Sequence, residues 1–399
     1  MNAPPTITRQ ADLEALCGRL AQSAEIAFDT EFVSEDTFYP ELCLVQVASR
    51  DELAVVDPQT VDVQPLWRLI AGGDHVTVLH AGREELNFLL RSVGTTPPRL
   101  FDVQIAAGFC SHEYPSAYGS LVGKFLGRQA MKGEQRTDWR RRPLTPAQIN
   151  YALEDVRHLL PLYDRLSELL RQRQRSAWLQ EETDRWTQGV ADAAERRDWR
   201  RVSGIGKLPP RELAIVRELW NWRQDEAQRR NSPPKRLLRD DLLVEIARRK
   251  MDQPDQILAV RGLQRNVLKR NVQELAACVR RGLEAPLERV PRGPRRELPP
   301  QLDLLGQFLT PALTTICRRA EVAASMVGTA SDVREMIAHR MGYASDEHDP
   351  PALLQGWRAE LVGKLIDELL QGRKSISIGD ARHGDPLIFN PVVVDGHGG

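Results

Sequence analysis

Between residues 24 and 105 the hydrophobic positions change period several times. EIAFDTEF, LCLVQVAS, LAVVDP, HVTVLHAG and PRLFDVQI are short apolar, β-branched runs of strand length. PLWRLIAG and REELNFLLRSVG, which separate the last three, show helical spacing and each end in glycine. The first three runs are joined by connections too short for a crossover helix, so they predict an antiparallel meander. The later ones, separated by helices, can run parallel. A mixed sheet flanked by helices follows. Residues 106–188 read as mostly helical: AYGSLVGKFLG, then TPAQINYALEDVRHLLPLYDRLSELLRQRQ, with Thr145 as N-cap and Pro146 at the first helical position.

After about residue 190 the strand signals stop. RRVSGIGKLPP reads as a linker. PRELAIVRELWNWRQDEAQRR is an amphipathic helix, with one of Trp220 and Trp222 expected in a core and the other at its rim. The segments after it complete a helical bundle. ERVPRGPRRELPP is a second linker, and residues 301–375 are again helical. The expected organisation is an α/β domain over 1–190, a helical domain over 208–288, a second helical domain over 299–375, and a tail over 376–399. FNPVVVDGHGG in that tail carries no packed-core signature, and the tail is expected to be disordered.

A chain of 399 residues, 41 % hydrophobic, can bury several cores. It has no run of 18 apolar residues, and MNAPPTITRQADLE lacks the charged-then-apolar pattern of a leader, so neither a membrane span nor a signal peptide is expected. The five cysteines are scattered and form no CxxC pair, which points to a reducing cytoplasm rather than to a zinc site or disulfide framework. Net charge is zero but uneven. Residues 1–190 hold 20 basic and 26 acidic side chains, whereas 191–300 hold 26 and 16. The middle third is therefore a candidate for phosphate contact, or a solvated helical surface.

The acids in FDTEF change the picture. Asp29 and Glu31 are two apart on a strand and so share a face. A carboxylate buried alone is costly, and two neighbours repel and raise each other's pKa. A divalent cation reverses the sign of that interaction, and oxygen-only ligands suit Mg²⁺ or Mn²⁺. The plainer reading is a strand end whose acids reach water. A third acid shifts the balance: Tyr151 and Asp155 in YALED lie four apart, on one helix face.

Taken together, FDTEFVSEDTFYPELCLVQVA, HAGREELNFL, FDVQIAAGF, TDWRRRPLTPAQINYALEDVRHLLPLY and GWRAEL resemble the DEDDy 3′–5′ exonucleases, in particular the ribonuclease D family. The resemblance spans nearly the whole chain. It implies a ribonuclease H-like catalytic fold followed by HRDC-type helical domains. It also implies 3′–5′ hydrolysis of RNA to nucleoside 5′-monophosphates with two divalent cations per site. Asp29, Glu31, Glu85 and Asp155 would be the metal ligands, and Tyr151 would orient the attacking water. The implied substrate is RNA with an unpaired 3′ end, precursor tRNA above all, with the enzyme acting as a cytoplasmic monomer. One position departs from the family pattern: where HA-x-x-x-D-L carries Asp, HAGREEL carries Glu85. Asp102 in FDVQI ranks second as the fourth acid. His80 stands beside the site, structural or nucleic-acid-binding, and Phe32 and Phe38 are base-stacking or core residues. Lys132 and Arg141, with the HRDC residues Lys235, Arg236 and Arg239, are the expected phosphate contacts. Two other functions stay open: a DNA 3′–5′ exonuclease, and an RNA-binding protein whose catalysis is weakened at Glu85.

Overall fold

The computed structural model describes residues 6–130, 133, 137–195, 198–263, 266–287, 299–343, 350–380, 382 and 385–392. Its first part is a mixed sheet of six strands. These are β1 (Thr6–Ile7), β2 (Glu25–Val33), β3 (Glu41–Ala48), β4 (Leu53–Val56), β5 (Val76–Leu79) and β6 (Leu100–Asp102), in the order β1-β4-β3-β2-β5-β6. As the connection lengths require, β2, β3 and β4 form an antiparallel meander, while β5 runs parallel to β2 and β6 to β5. The very short β1, parallel to β4, has no strand signal of its own and exists through that pairing.

Helices cover both faces. On one side α1 (Gln10–Leu20), α2 (Gln64–Gly72) and α3 (Arg83–Val93) bury Leu13, Leu16, Trp67, Ile70, Leu86 and Leu89 against Ile26, Phe28 and Val47. After the short α4 (Val103–Gly108) and α5 (Tyr118–Leu126), the other side is covered by α6 (Pro146–Arg157) and α7 (Leu159–Gln172). Thr145 caps α6 in a full capping box with Gln148. The helical run expected to be continuous breaks at His158, and α8 (Ser176–Glu195) then crosses back.

The helical part starts with α9 (Pro210–Arg229) and continues through α10 (Pro234–Leu237), α11 (Asp240–Arg249), α12 (Pro254–Leu258), α13 (Asn266–Arg270) and α14 (Val272–Glu284). Trp220 and Trp222 are both half-buried at the edge of this core; the fully enclosed side chain between them and the next turn is Arg223, paired with Asp240 at 2.7 Å. A second helical group holds α15 (Pro300–Arg319), α16 (Ala324–Val327) and α17 (Ala330–Arg340). It ends in α18 (Gly356–Arg358) and α19 (Lys364–Leu370). This group shares one continuous core with α4, α7 and α8.

The GWR stretch is the fastening. A Cβ on Gly356 would lie 1.7 Å from Glu181 Oε1, so only glycine fits there. Arg358 donates to Glu182 of α8 from Nη1 at 2.7 Å and from Nη2 at 2.9 Å. Beyond it, part of the tail expected to be disordered is instead a hairpin of β7 (Lys374–Ile378) and β8 (Leu387–Pro391), whose Ile376 and Phe389 pack against the core of the C-terminal helices.

Candidate active site

The sheet leaves an opening at β2. Its neighbour β5 pairs with Glu25–Ala27 and no further, so the β5-side edge of Phe28–Val33 is free. The chain runs from β2 to β3 and β4 on one side and resumes with β5 and β6 on the other, so the strand order reverses at β2, the type of switch point at which open α/β sheets bind ligands. Asp29 and Glu31 stand on the face covered by α6, which brings Tyr151 and Asp155. The chain leaving β5 turns tightly through Ala81, with φ +54°, and Gly82, whose Cβ would lie 2.4 Å from Leu79. That turn starts α3 close enough for Glu85 to reach β2.

Glu85 is buried, and its Oε1 accepts a hydrogen bond from the Thr30 hydroxyl at 2.5 Å. Thr30 lies between the two acids of FDTEF and points to the opposite face. The longer side chain at position 85 is therefore anchored on the strand itself. Asp155 accepts a hydrogen bond from the Tyr151 hydroxyl one turn earlier on α6. Tyr151 is in turn backed by Trp139, with ring centroids 6.1 Å apart.

Electrostatics unite these groups. Burial first, then Glu85, Asp155 and Glu31, raise the Asp29 carboxyl well above the ordinary range, against one backbone N–H from Thr30. Burial, with Asp155 and Glu85 adding to it, pushes Glu31 up to about 8. Glu85 and Asp155 are each raised to about 7, mainly by burial, although the Thr30 and Tyr151 hydroxyls work the other way. Every charged neighbour shifting these four groups is another carboxylate. A partly buried cluster of acids without a cation among its partners is suited to an external one. Among the described residues, no three His, Cys, Asp or Glu side chains are gathered closely enough to hold a metal ion as they stand. The acids lie within Coulomb reach of one another, two of them held back by hydroxyls. The donor set, all oxygen and all raised in pKa by burial and mutual repulsion, fits a divalent metal.

Asp102 is engaged elsewhere. Its carboxylate accepts from the backbone N–H groups of Gly82 at 3.0 Å, Gln104 at 2.8 Å and Ile105 at 3.4 Å. It caps α4 and fixes the turn before Glu85. His80 bonds the Ser116 carbonyl at 3.0 Å and packs edge-on against Tyr118. Tyr118, Ser120, Arg128, Gln129, Tyr151 and Asp155 line a cavity of about 890 Å³. YALED marks one part of this lining; Ser120, Arg128 and Gln129 are brought to it by folding.

Phe32 packs edge-on against Phe88 of α3, following a register shift between Glu31 and Phe32. Phe38 packs on Tyr39. Arg141 is exposed, 3.5 Å from Asp138; Lys132 lies outside the described residues. The three helical-domain cations all hold acids: Lys235 with Asp240 at 3.1 Å, Arg239 with Asp241 at 2.7 Å, and Arg236 with Asp36 at 2.7 Å. The last of these crosses domains. Asp36 lies in the loop after β2, where Phe38 N also donates to Asn231 and Gln228 to the Tyr39 hydroxyl. The helical domain is thus seated on the loop that leaves the acid-bearing strand.

Comparison with known proteins matches this architecture. The 3′–5′ exonuclease family fits residues 4–171 and the HRDC domain family residues 212–279. Ribonuclease D of Zymomonas mobilis subsp. mobilis is 33 % identical over 392 residues, covering 95 % of this chain and 97 % of that protein. Ribonuclease D of Nitrobacter hamburgensis is 33 % identical over 388 residues, covering 94 % and 97 %. The crystal structure of Escherichia coli RNase D, described as an exoribonuclease involved in structured RNA processing, superposes with a TM-score of 0.77 at 26 % identity, covering 93 % of this chain and 99 % of that one.

Proposed function

Because the chain belongs to the ribonuclease D family of 3′–5′ exoribonucleases, we propose that Asp29, Glu31, Glu85, Tyr151 and Asp155 are its active site and that it trims the unpaired 3′ ends of structured RNA, precursor tRNA in particular. Dependence on a divalent metal comes with the exonuclease fold. Asp29, Glu31, Glu85 and Asp155 would hold two ions, Mg²⁺ or Mn²⁺, which when bound supply an activated water and charge neutralisation at the leaving oxygen. Asp29, at the centre of the repulsion, would contribute to holding both ions. The Tyr151 hydroxyl, which donates its proton to Asp155 and is held by Trp139, positions the water by accepting a hydrogen bond from it. The cavity beside Tyr118 takes nucleotides next to the scissile bond. The products are nucleoside 5′-monophosphates.

The observation that carries this reading is a set of four mutually repelling carboxylates, Glu85 buried and Asp29, Glu31 and Asp155 half-buried, with no cation among their charged neighbours. The HRDC region is taken to meet RNA bound at this site, a reading supported by its contacts with the loop after β2. Among the described residues no helix is long and apolar enough to cross a membrane; the enzyme is proposed to work as a cytoplasmic monomer. The test is a substrate panel: a precursor tRNA with a 3′ trailer, its mature form, and a matched DNA strand, with products identified by mass spectrometry. Nucleoside 5′-monophosphates released first from the trailer support the proposal. Equal rates on DNA, or 3′-monophosphate products, overturn it.

A further inference from the structure

Gln46 lies at the centre of β3, in the apolar run LCLVQVA, and its side chain is fully buried. Neither Oε1 nor Nε2 has a hydrogen-bond partner among the described residues. Buried amides are almost always paired, because an unmade bond forfeits water without replacement. Leu or Met would fill the same space without that cost. The register says what the amide faces. Gln46 pairs with Asp29 directly across the β2–β3 ladder, and its other neighbour is the apolar Val55. Directly opposed residues put their side chains on the same face, with Cβ atoms about 4.5–5.5 Å apart. The covering element is α6, which carries Tyr151 and Asp155.

We infer that Gln46 is a positioning residue for the metal site: its amide N–H groups hold the ionised carboxylate of Asp29 in the orientation that receives a cation. The inference rests on reading Asp29 as a ligand. A carboxylate can offer one oxygen to an ion and keep the other for a donor behind it, which fixes its direction. Such outer partners orient metal ligands, and losing one costs about 10- to 100-fold in affinity or activity. An apolar replacement removes the donor without making a cavity, so the metal-free fold keeps its stability while the metal site loses its support.

The test uses the full chain as wild type, Gln46→Met, Gln46→Leu and Asp29→Asn. Mn²⁺ binding is measured by calorimetry, metal-free stability by urea unfolding in EDTA, and trimming of an RNA with an unpaired 3′ tail by steady-state kinetics. Both Gln46 variants are expected to match or exceed wild type in metal-free stability, to bind Mn²⁺ about 10- to 100-fold more weakly, and to lose kcat at unchanged KM for RNA. Mn²⁺ affinity within twofold of wild type in a folded variant overturns the inference. So does a metal-free fold lost in both variants, which would assign the amide to the scaffold. If wild type binds Mn²⁺ and Asp29→Asn does not, the reading of Asp29 stands whatever Gln46 does; if wild type binds none, both readings fall.

Discussion

Glu85→Asp restores the residue usual for the family, yet the structure predicts a loss of activity. The Glu85 carboxylate is fixed by the Thr30 hydroxyl at 2.5 Å. Removing one methylene withdraws the carboxylate by about one C–C bond, roughly 1.5 Å. The separation becomes about 4 Å, beyond hydrogen-bond range. A hydrogen bond to a charged group contributes about 1.5–3 kcal/mol. If the loss is felt in the transition state, kcat/KM falls about 10- to 100-fold. Thr30→Val removes the same bond from the other side and keeps a β-branched residue in the strand, so it should fall by a similar factor. Thr30→Ser should recover most of it. The double variant Glu85→Asp, Thr30→Val should be little worse than either single one, since the bond can be lost once. The assay is single-turnover trimming of a labelled RNA under saturating Mn²⁺. A Glu85→Asp enzyme as fast as wild type, or faster, would refute the argument and mark Glu85 as a site drifting from catalysis.

Other consequences are open to measurement. The four acids all have raised folded-state pKa values, so without metal their contribution is fully present below about pH 4, the ordinary carboxylate range, and is lost as pH rises through the values of about 7 and 8. Urea midpoints in EDTA should therefore fall between about pH 5 and 8.5, and saturating Mn²⁺ should cancel the fall; midpoints that rise over that range contradict the account. Arg358→Ala leaves the half-buried Glu182 without a counter-charge, with the Trp357 indole N–H at 3.0 Å still donating to it, at the seam between α8 and the C-terminal helices. Breaking such a pair costs about 3–5 kcal/mol, and chemical denaturation should show it, with proteolysis beginning in the C-terminal group. Lys235 and Arg236 are exposed and each holds an acid. If RNA displaces both pairings, the double alanine variant should lower the slope of log K against log salt by about 1.4; an unchanged slope would assign the two cations to Asp240 and Asp36 alone.

Much of the fold and of the site could be read from the sequence because the signals are local. FDTEF carries its alternation within five residues, and Thr145, Pro146 and Gln148 write the start of α6 in four. The meander and the parallel strands follow from connection lengths. What escaped depends on tertiary partners. β1 is two residues paired to β4, and no window that short has a period. The Thr30–Glu85 bond joins residues 55 apart. Gln46 was hidden in an apolar strand; the clue, a lone amide in LCLVQVA, acquires meaning once the register sets it against Asp29. Asp102 could not be separated from a ligand until three backbone N–H groups were seen on it. That Lys235, Arg236 and Arg239 also pair with acids is a tertiary fact that charge counting cannot supply.

The central claim is that the four carboxylates work by holding a divalent cation to trim RNA. Its most direct test is a 5′-labelled RNA with a short unpaired 3′ tail, incubated with Mg²⁺, Mn²⁺ or EDTA, wild type beside Asp29→Asn. A ladder shortening from the 3′ end, dependent on metal and absent in the variant, is the expected result. A ladder that persists in EDTA, or one that Asp29→Asn produces at the wild-type rate, contradicts it.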